Sequence, residues 1–181
     1  MGIATAIATR LVAAGVSVLS GLADGVDGAA HRAALAADGR TVAVIGSGIA
    51  RYYPAKNEPL QREIARRGLV LSQFWPDAPP QRHNFLMRNA VMSGLGRCTI
   101  VVQAAETSGA RAQARMAVEH GRPVILLRQV VESNNWAKQL MGRPGVHEAT
   151  SPDDVMAHVS TILDQEREAN TLVHQILTSL A

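Results

Sequence analysis

Cysteine occurs once in this chain, at Cys98, and phenylalanine, tyrosine and tryptophan together make up only 3% of it. A single cysteine excludes an intrachain disulfide, and its place ahead of an apolar run reads as a buried thiol. Scarce aromatics leave a core of alanine, valine, isoleucine and leucine within a hydrophobic fraction of 47%. That composition suits a parallel sheet with helices on both faces. No cluster of cysteine, histidine and carboxylates has metal-ligand spacing. No apolar run approaches the ~18 residues of a membrane helix. The N-terminus lacks the basic-then-apolar layout of a secretory signal. The expectation is a cytoplasmic protein with no membrane contact, no metal and no cofactor.

Lysine is scarce as well: two lysines stand against sixteen arginines. Arginine suits bidentate phosphate contacts, although a GC-rich genome gives the same bias. The net charge of +3 hides an uneven distribution. Residues 1–50 balance. Residues 51–128 hold twelve arginines and lysines against five acids, a net of +7, and residues 129–181 hold three against seven, a net of −4. A basic middle and an acidic end fit a polyanion-binding centre followed by a solvated helix.

At 181 residues the chain makes one domain with a short tail. Residues 1–150 are expected to form the α/β body and 151–181 a C-terminal helical segment. Ile3, Ile7 and Leu11 fall on one face of a helix over Gly2–Ala14 that stops at Gly15. Strands are expected at Val16–Leu19, Thr41–Ile45, Leu69–Ser72, Ile100–Val102 and Val124–Leu127. Helices are expected at Gly25–Ala37, Leu60–Arg67, Phe85–Leu95, Ala110–His120 and Ser133–Met141. Arg51–Pro59 and the Pro-rich Phe74–Asn84 read as loops. Ser151-Pro152-Asp153-Asp154 has the N-cap, first-turn proline and acids that open a last helix, with a second amphipathic segment running on to Ala181.

Three strand-to-loop transitions stand out: VSVLSGLADGVDGAAH over 16–31, VAVIGSG over 42–48 and TIVVQAAETSG over 99–109. Each places glycines after a β-branched run, the arrangement by which a sheet presents N–H groups to an anion. Pointing the same way, they define one composite pocket at the carboxyl ends of the strands. Gly46-Ser47-Gly48 lacks the third small residue of a dinucleotide fingerprint, because Arg51 stands there. It reads as a turn whose N–H groups face an anion. Ser108 is placed to cap a helix whose free N–H groups at Gly109, Ala110 and Arg111 enter the pocket. In Arg82–Asn89, RHNFLMRN, one aromatic (Phe85) lies between two arginines (Arg82, Arg88) and two amides (Asn84, Asn89). Cations for phosphates and an aromatic for stacking make a single-strand nucleic-acid site. A core phenylalanine between solvated arginines gives the same pattern. Asp27 and His31, four apart, read as structural: the carboxylate holds loop N–H groups and the imidazole is buried.

Several of these segments resemble the DNA-processing protein A (DprA/Smf) family. SGLADGVDGAAH resembles its S-G-x-A-x-G-[IV]-D-x-x-A-H run, and VAVIGSGIARYYPAKNEPL its G-x-G-x-x-x-x-Y-P-x-x-N-x-x-L segment. LVLSQFWPDAPPQRHNFLMRNAVMSGL and VVQAAETSGARAQARMAVEHGRPV resemble the two segments that follow, in the same order, so the likeness runs over about residues 10–160. The resemblance implies a Rossmann-like fold with an open, mostly parallel sheet, and single-stranded DNA binding without catalysis. It also implies homodimers, and handover of incoming DNA to a RecA-type recombinase in natural transformation. The implied pocket is Ser20, Gly21, Gly46, Ser47, Gly48, Arg82, Phe85, Arg88, Asn89, Ser108 and Gly109, with Arg111 an addition of this chain. Family members open the domain with a strand and a G-S-R turn. This chain starts just after that point, as a truncated or divergent member would. Asp24 puts an acid where a basic or neutral residue is common. The alternative is a nucleotide binder or nucleoside-monophosphate N-glycoside hydrolase of the lysine-decarboxylase-like (cytokinin-activating) group. That group's P-G-G-x-G-T-x-x-E run is absent, and Glu106 and Glu119 do not replace it.

Overall fold

A computed structural model describes residues 2–179; the expected ends of the chain at Met1, Leu180 and Ala181 lie outside the described residues. All six strands are parallel to their partners. They form two three-stranded sheets, one in the order β1 (Val18–Ser20), β2 (Thr41–Val44), β3 (Leu69–Leu71), the other β4 (Thr99–Val101), β5 (Val124–Leu127), β6 (Val146–Ala149). The sheet is therefore interrupted between β1 and β4, where no ladder bonds run. Apolar packing joins the halves instead: Val18 of β1 lies in one cluster with Val101 of β4 and Val124–Leu127 of β5. β5 is buried along its whole length, as a central parallel strand covered on both faces must be.

The crossover helices cover the sheets. α1 (Gly2–Ala13) presents Ile7 and Leu11 to the main cluster and packs on α2 (Val26–Ala36). α3 (Glu58–Arg67) sets Leu60 and Ile64 into a second, smaller cluster with Ala43, Ile45 and Val70. α4 (Arg82–Leu95) and α5 (Gly109–Glu119) lie side by side, and the short α6 (Arg128–Ser133) and α7 (Asn135–Leu140) lead to β6. α8 (Pro152–Ser179) is one continuous helix rather than two segments. Ser151 Oγ accepts from the Asp154 N–H at 3.1 Å, the N-terminal cap the sequence predicts. Val155, Val159 and Ile162 of α8 sit in the main cluster. Beyond them its apolar side chains, Leu172, Val173, Ile176 and Leu177, are exposed. Among the described residues no helix is long and apolar enough to cross a membrane.

Candidate nucleic-acid interface

Two adjacent side chains of α4 draw the predicted loops together. Arg88 Nη1 donates to the Gly21 carbonyl just past β1 and, at 2.8 Å, to the Val44 carbonyl at the end of β2. Its Nε donates to Asn89 Oδ1 at 3.1 Å, and Asn89 Nδ2 donates to the Gly109 carbonyl at 3.2 Å, where α5 begins. One relay of hydrogen bonds thus fastens the carboxyl ends of β1 and β2 to the amino end of α5. At Gly21 the guanidinium occupies the space a Cβ would need, so a larger residue would push Arg88 out of this position. At Gly46 a Cβ would lie 2.6 Å from the Phe85 ring, so this turn and the aromatic fit flat together.

The sequence assigned Arg88 a phosphate, and the structure gives it a different place. Arg88 is 7% exposed. Its Nε and Nη1 are spent on the protein, and burial lowers its pKa against the pull of the Asp27 carboxylate. The turn after β2 also differs in part. The Gly48 N–H donates to the Ala78 carbonyl at 2.8 Å, because the Pro-rich loop closes over it. Within the Gly46-Ser47-Gly48 turn, the Gly46 and Ser47 N–H groups have no partner among the described residues. Ser108 stands at the N-cap of α5, but its Oγ makes no capping bond and is buried without a partner. Arg82 opens α4, exposed and unbonded. Phe85 stays partly accessible, 5.5 Å from the ring of Tyr53 and 5.8 Å below the Arg88 guanidinium.

The first loop is held from within. Ser20 Oγ donates to Asp27 Oδ1 at 2.7 Å and the Ala23 N–H to Asp27 Oδ2 at 3.0 Å, so Asp27 braces the β1–α2 turn as predicted. His31 is fully buried with Nδ1 2.7 Å from Thr41 Oγ1, and burial pushes its pKa down to about 4. The Thr41 hydroxyl donates to the Val18 carbonyl, which leaves the imidazole Nδ1 to carry the N–H in its bond to Thr41. Asp24, the acid that looked adverse to DNA, pairs with Lys56 at 2.5 Å; that lysine bond is the main cause of its lowered pKa.

Half of the basic middle is neutralised in the same way. Lys56, Arg62, Arg67, Arg97, Arg115 and Arg128 all lie within 3.4 Å of a carboxylate. Arg51, Arg82 and Arg111, each without an ion pair among the described residues, flank the pocket from the loop after β2, the start of α4 and the start of α5. The apparent surplus of cations reduces to five, of which these three belong to the elements around the pocket and Arg66 and Arg122 do not.

Three residues that shape the site carry no assigned role in the sequence reading. Asn57 Nδ2 donates to the Leu22 carbonyl at 2.9 Å, and Gln61 Nε2 to the Arg51 carbonyl at 3.2 Å, so two buried amides of the region after β2 pin the loops on either side. Tyr53 adds a half-exposed ring beside Phe85. The signal was the Y-P-x-x-N spacing of Tyr53, Pro54 and Asn57.

Residues 1–160 match the family model described as DNA recombination-mediator protein A. The Smf protein of Synechocystis is 41% identical over 121 residues, which is 67% of this chain and 30% of that protein. The Smf protein of Escherichia coli is 35% identical over 159 residues, 84% of this chain and 40% of that protein. The chain therefore spans less than half the length of these curated relatives. Among solved structures it is similar to DNA processing protein A from Helicobacter pylori, a protein with a unique single-stranded DNA binding mode. That likeness has a TM-score of 0.76 and 28% identity over 90% of this chain and 73% of that one. With its Rossmann-like parallel sheets and its collinear motifs, the chain belongs to the DNA recombination-mediator protein A family.

Proposed function

We propose that this chain binds single-stranded DNA at the carboxyl ends of β1, β2 and β4, and that it does so without catalysis. The observation that carries the reading is that Arg51 in the loop after β2, Arg82 in the first turn of α4 and Arg111 in the first turn of α5 have no ion pair among the described residues, while the same loop and α4 present the neighbouring rings of Tyr53 and Phe85. Phosphates sit on those arginines and on the Gly46, Ser47, Gly109 and Ala110 N–H groups; the Arg111 N–H, expected to be free, donates to the Ser108 carbonyl at 3.1 Å. A base stacks against Phe85 and Tyr53. Arg88 and Asn89 serve from beneath, holding Gly21, Val44 and Gly109 in register. The single-stranded DNA binding of the Helicobacter pylori relative supports the reading. Self-association and delivery of the strand to a RecA-type recombinase extend it by family.

Titration of labelled single-stranded and duplex oligonucleotides tests the proposal. Expected is tight binding to single strands, much weaker binding to duplex and no dependence on base order. Equal affinity for the two forms would sink it. Incubation with nucleoside monophosphates separates the hydrolase alternative: release of free base would favour that enzyme, and none is expected, since no catalytic glutamate stands in a P-G-G-x-G-T-x-x-E run.

A further inference from the structure

A hollow opens in the surface beside the interface. It is a cavity of about 600 Å³ in the Pro-rich loop between β3 and α4, and its walls include Gln73, Phe74, Trp75, Gln81 and Asn84. Trp75 is 83% exposed, although an indole is the side chain with most to gain from burial. The other tryptophan, Trp136, is 6% exposed and sits in the main core. An isolated exposed tryptophan is ordinary on a mobile tip, but this one is braced. The Trp75 carbonyl accepts from the Ala78 N–H at 2.9 Å, the Pro76 carbonyl from the Ala50 N–H at 2.8 Å, and Arg51 Nε donates to the Asp77 carbonyl at 2.9 Å. The loop is thereby tied to the turn after β2, whose Gly46 and Ser47 N–H groups are unpartnered. Arg51 is bonded to this loop and Arg82 follows the wall residue Gln81, both without ion pairs among the described residues, and the walls' Gln73 and Gln81 offer donors and acceptors.

We propose that this cavity is a nucleobase subsite, in which one base of a bound single strand lies on the Trp75 indole with its flanking phosphates toward Arg51 and Arg82. The proposal rests on the single-strand reading above and adds to it a second stacking platform, separate from Phe85. A hollow that is mostly apolar, with amides at its edge and arginines beside it, matches a base and its phosphates. It would leave an acidic peptide's flexible carboxylates without partners in the apolar part. Because every base has a π-face, the subsite is tolerant of sequence.

The two tryptophans make the test direct, because Trp75 is the exposed fluorophore and Trp136 the buried one. An end-labelled oligothymidylate is titrated while anisotropy of the label and intrinsic tryptophan emission are followed together. Expected is quenching of the exposed emission with the same midpoint as the anisotropy change. Trp75→Leu is expected to abolish the quenching and weaken binding about 5- to 150-fold, the span of one base–aromatic stack. Trp75→Phe is expected to recover most of the affinity, and unchanged Trp136 emission reports that both variants are folded. If the parent binds the oligonucleotide but Trp75→Leu binds equally well and the parent shows no quenching, the subsite is overturned and the wider reading stands. If the parent binds no single strand at all, both fall.

Discussion

Arg88 spends its charge on the protein's own backbone beneath the candidate site. Its guanidinium replaces water for two carbonyls and one amide that the converging loops would otherwise leave buried and unpaired. Hydrogen bonds to charged groups contribute about 1.5–3 kcal/mol each, and deleting one partner strands the others. Arg88→Leu is therefore expected to cost about 3–5 kcal/mol in urea unfolding, with Arg88→Lys recovering only part, because an ammonium cannot span the same fork. A loss under about 1 kcal/mol would show that the relay contributes little. His31 makes a second prediction at this scale. Its folded pKa is pushed from the ordinary 6.5 to about 4, so between those values the unfolded chain takes up a proton that the folded chain refuses. The stability that depends on a neutral His31 is complete above pH 6.5 and is lost as the pH falls toward 4. The loss is about 2–3 kcal/mol by pH 4.5, at 1.36 kcal/mol per pKa unit. Urea unfolding at pH 7 and pH 4.5 should show it superimposed on the carboxylate titration, and His31→Gln should remove that share of the slope. An unchanged slope in the variant would mean the imidazole does not carry it.

The elements that were legible in the sequence are those whose residues carry one dominant signal. The all-apolar Val124–Leu127 run, the Gly15 stop and the Ser151 cap each correspond to an observed boundary. β6 was not legible, because Val146–Ala149 puts His147 and Glu148 at half-buried positions and shows neither alternation nor an apolar run. The first turn of α4 reads as loop in the sequence because Arg82, His83 and Asn84 are polar and follow a Pro-rich stretch. Asn84 is in fact buried, and its Nδ2 points back to the Pro79 carbonyl at 3.4 Å. At the site, the loop glycines and the Arg82–Asn89 stretch could be read, but the direction of Arg88 could not. Whether an arginine faces phosphate or carbonyl depends on residues 67 and 44 positions away. α8 illustrates the limit of pattern from the other side. Its amphipathic spacing continues past Ile162, yet nothing within the fold receives Leu172, Val173, Ile176 or Leu177. Helix segments shorter than about 12–15 residues are marginal in water without packing. Amides of residues 169–179 should thus exchange hydrogen far faster than those of residues 155–163. Removing the chain from residue 169 onward should shift the melting midpoint by no more than about 2 °C, since residues 169–179 are all exposed. A larger fall would reveal a contact that the tail makes in solution.

Across the whole molecule, the question is how much of the +7 on residues 51–128 a strand of DNA would feel. Six cations there are paired with carboxylates and Arg88 is internal, so the field is set by a minority. Arg66 and Arg122, also without ion pairs among the described residues, lie in α3 and after α5, away from the pocket loops. Arg51, Arg82 and Arg111 then define about three phosphate contacts. For single strands the salt dependence of log affinity is about −0.7 per phosphate neutralised, a slope near −2 here. Raising salt from about 50 to about 200 mM should weaken binding roughly 20-fold. Arg82→Ala and Arg111→Ala should each flatten the slope by about 0.7, with no change in base preference. Arg97→Ala removes an equal formal charge, but one held 2.9 Å from Glu166, and it should leave the slope unchanged. If Arg97→Ala flattens the slope as much as Arg82→Ala does, binding is spread over the basic surface and the composite pocket is not its centre. If only the pocket arginines count, the fold has gathered the charge of a long basic segment onto one end of two short sheets.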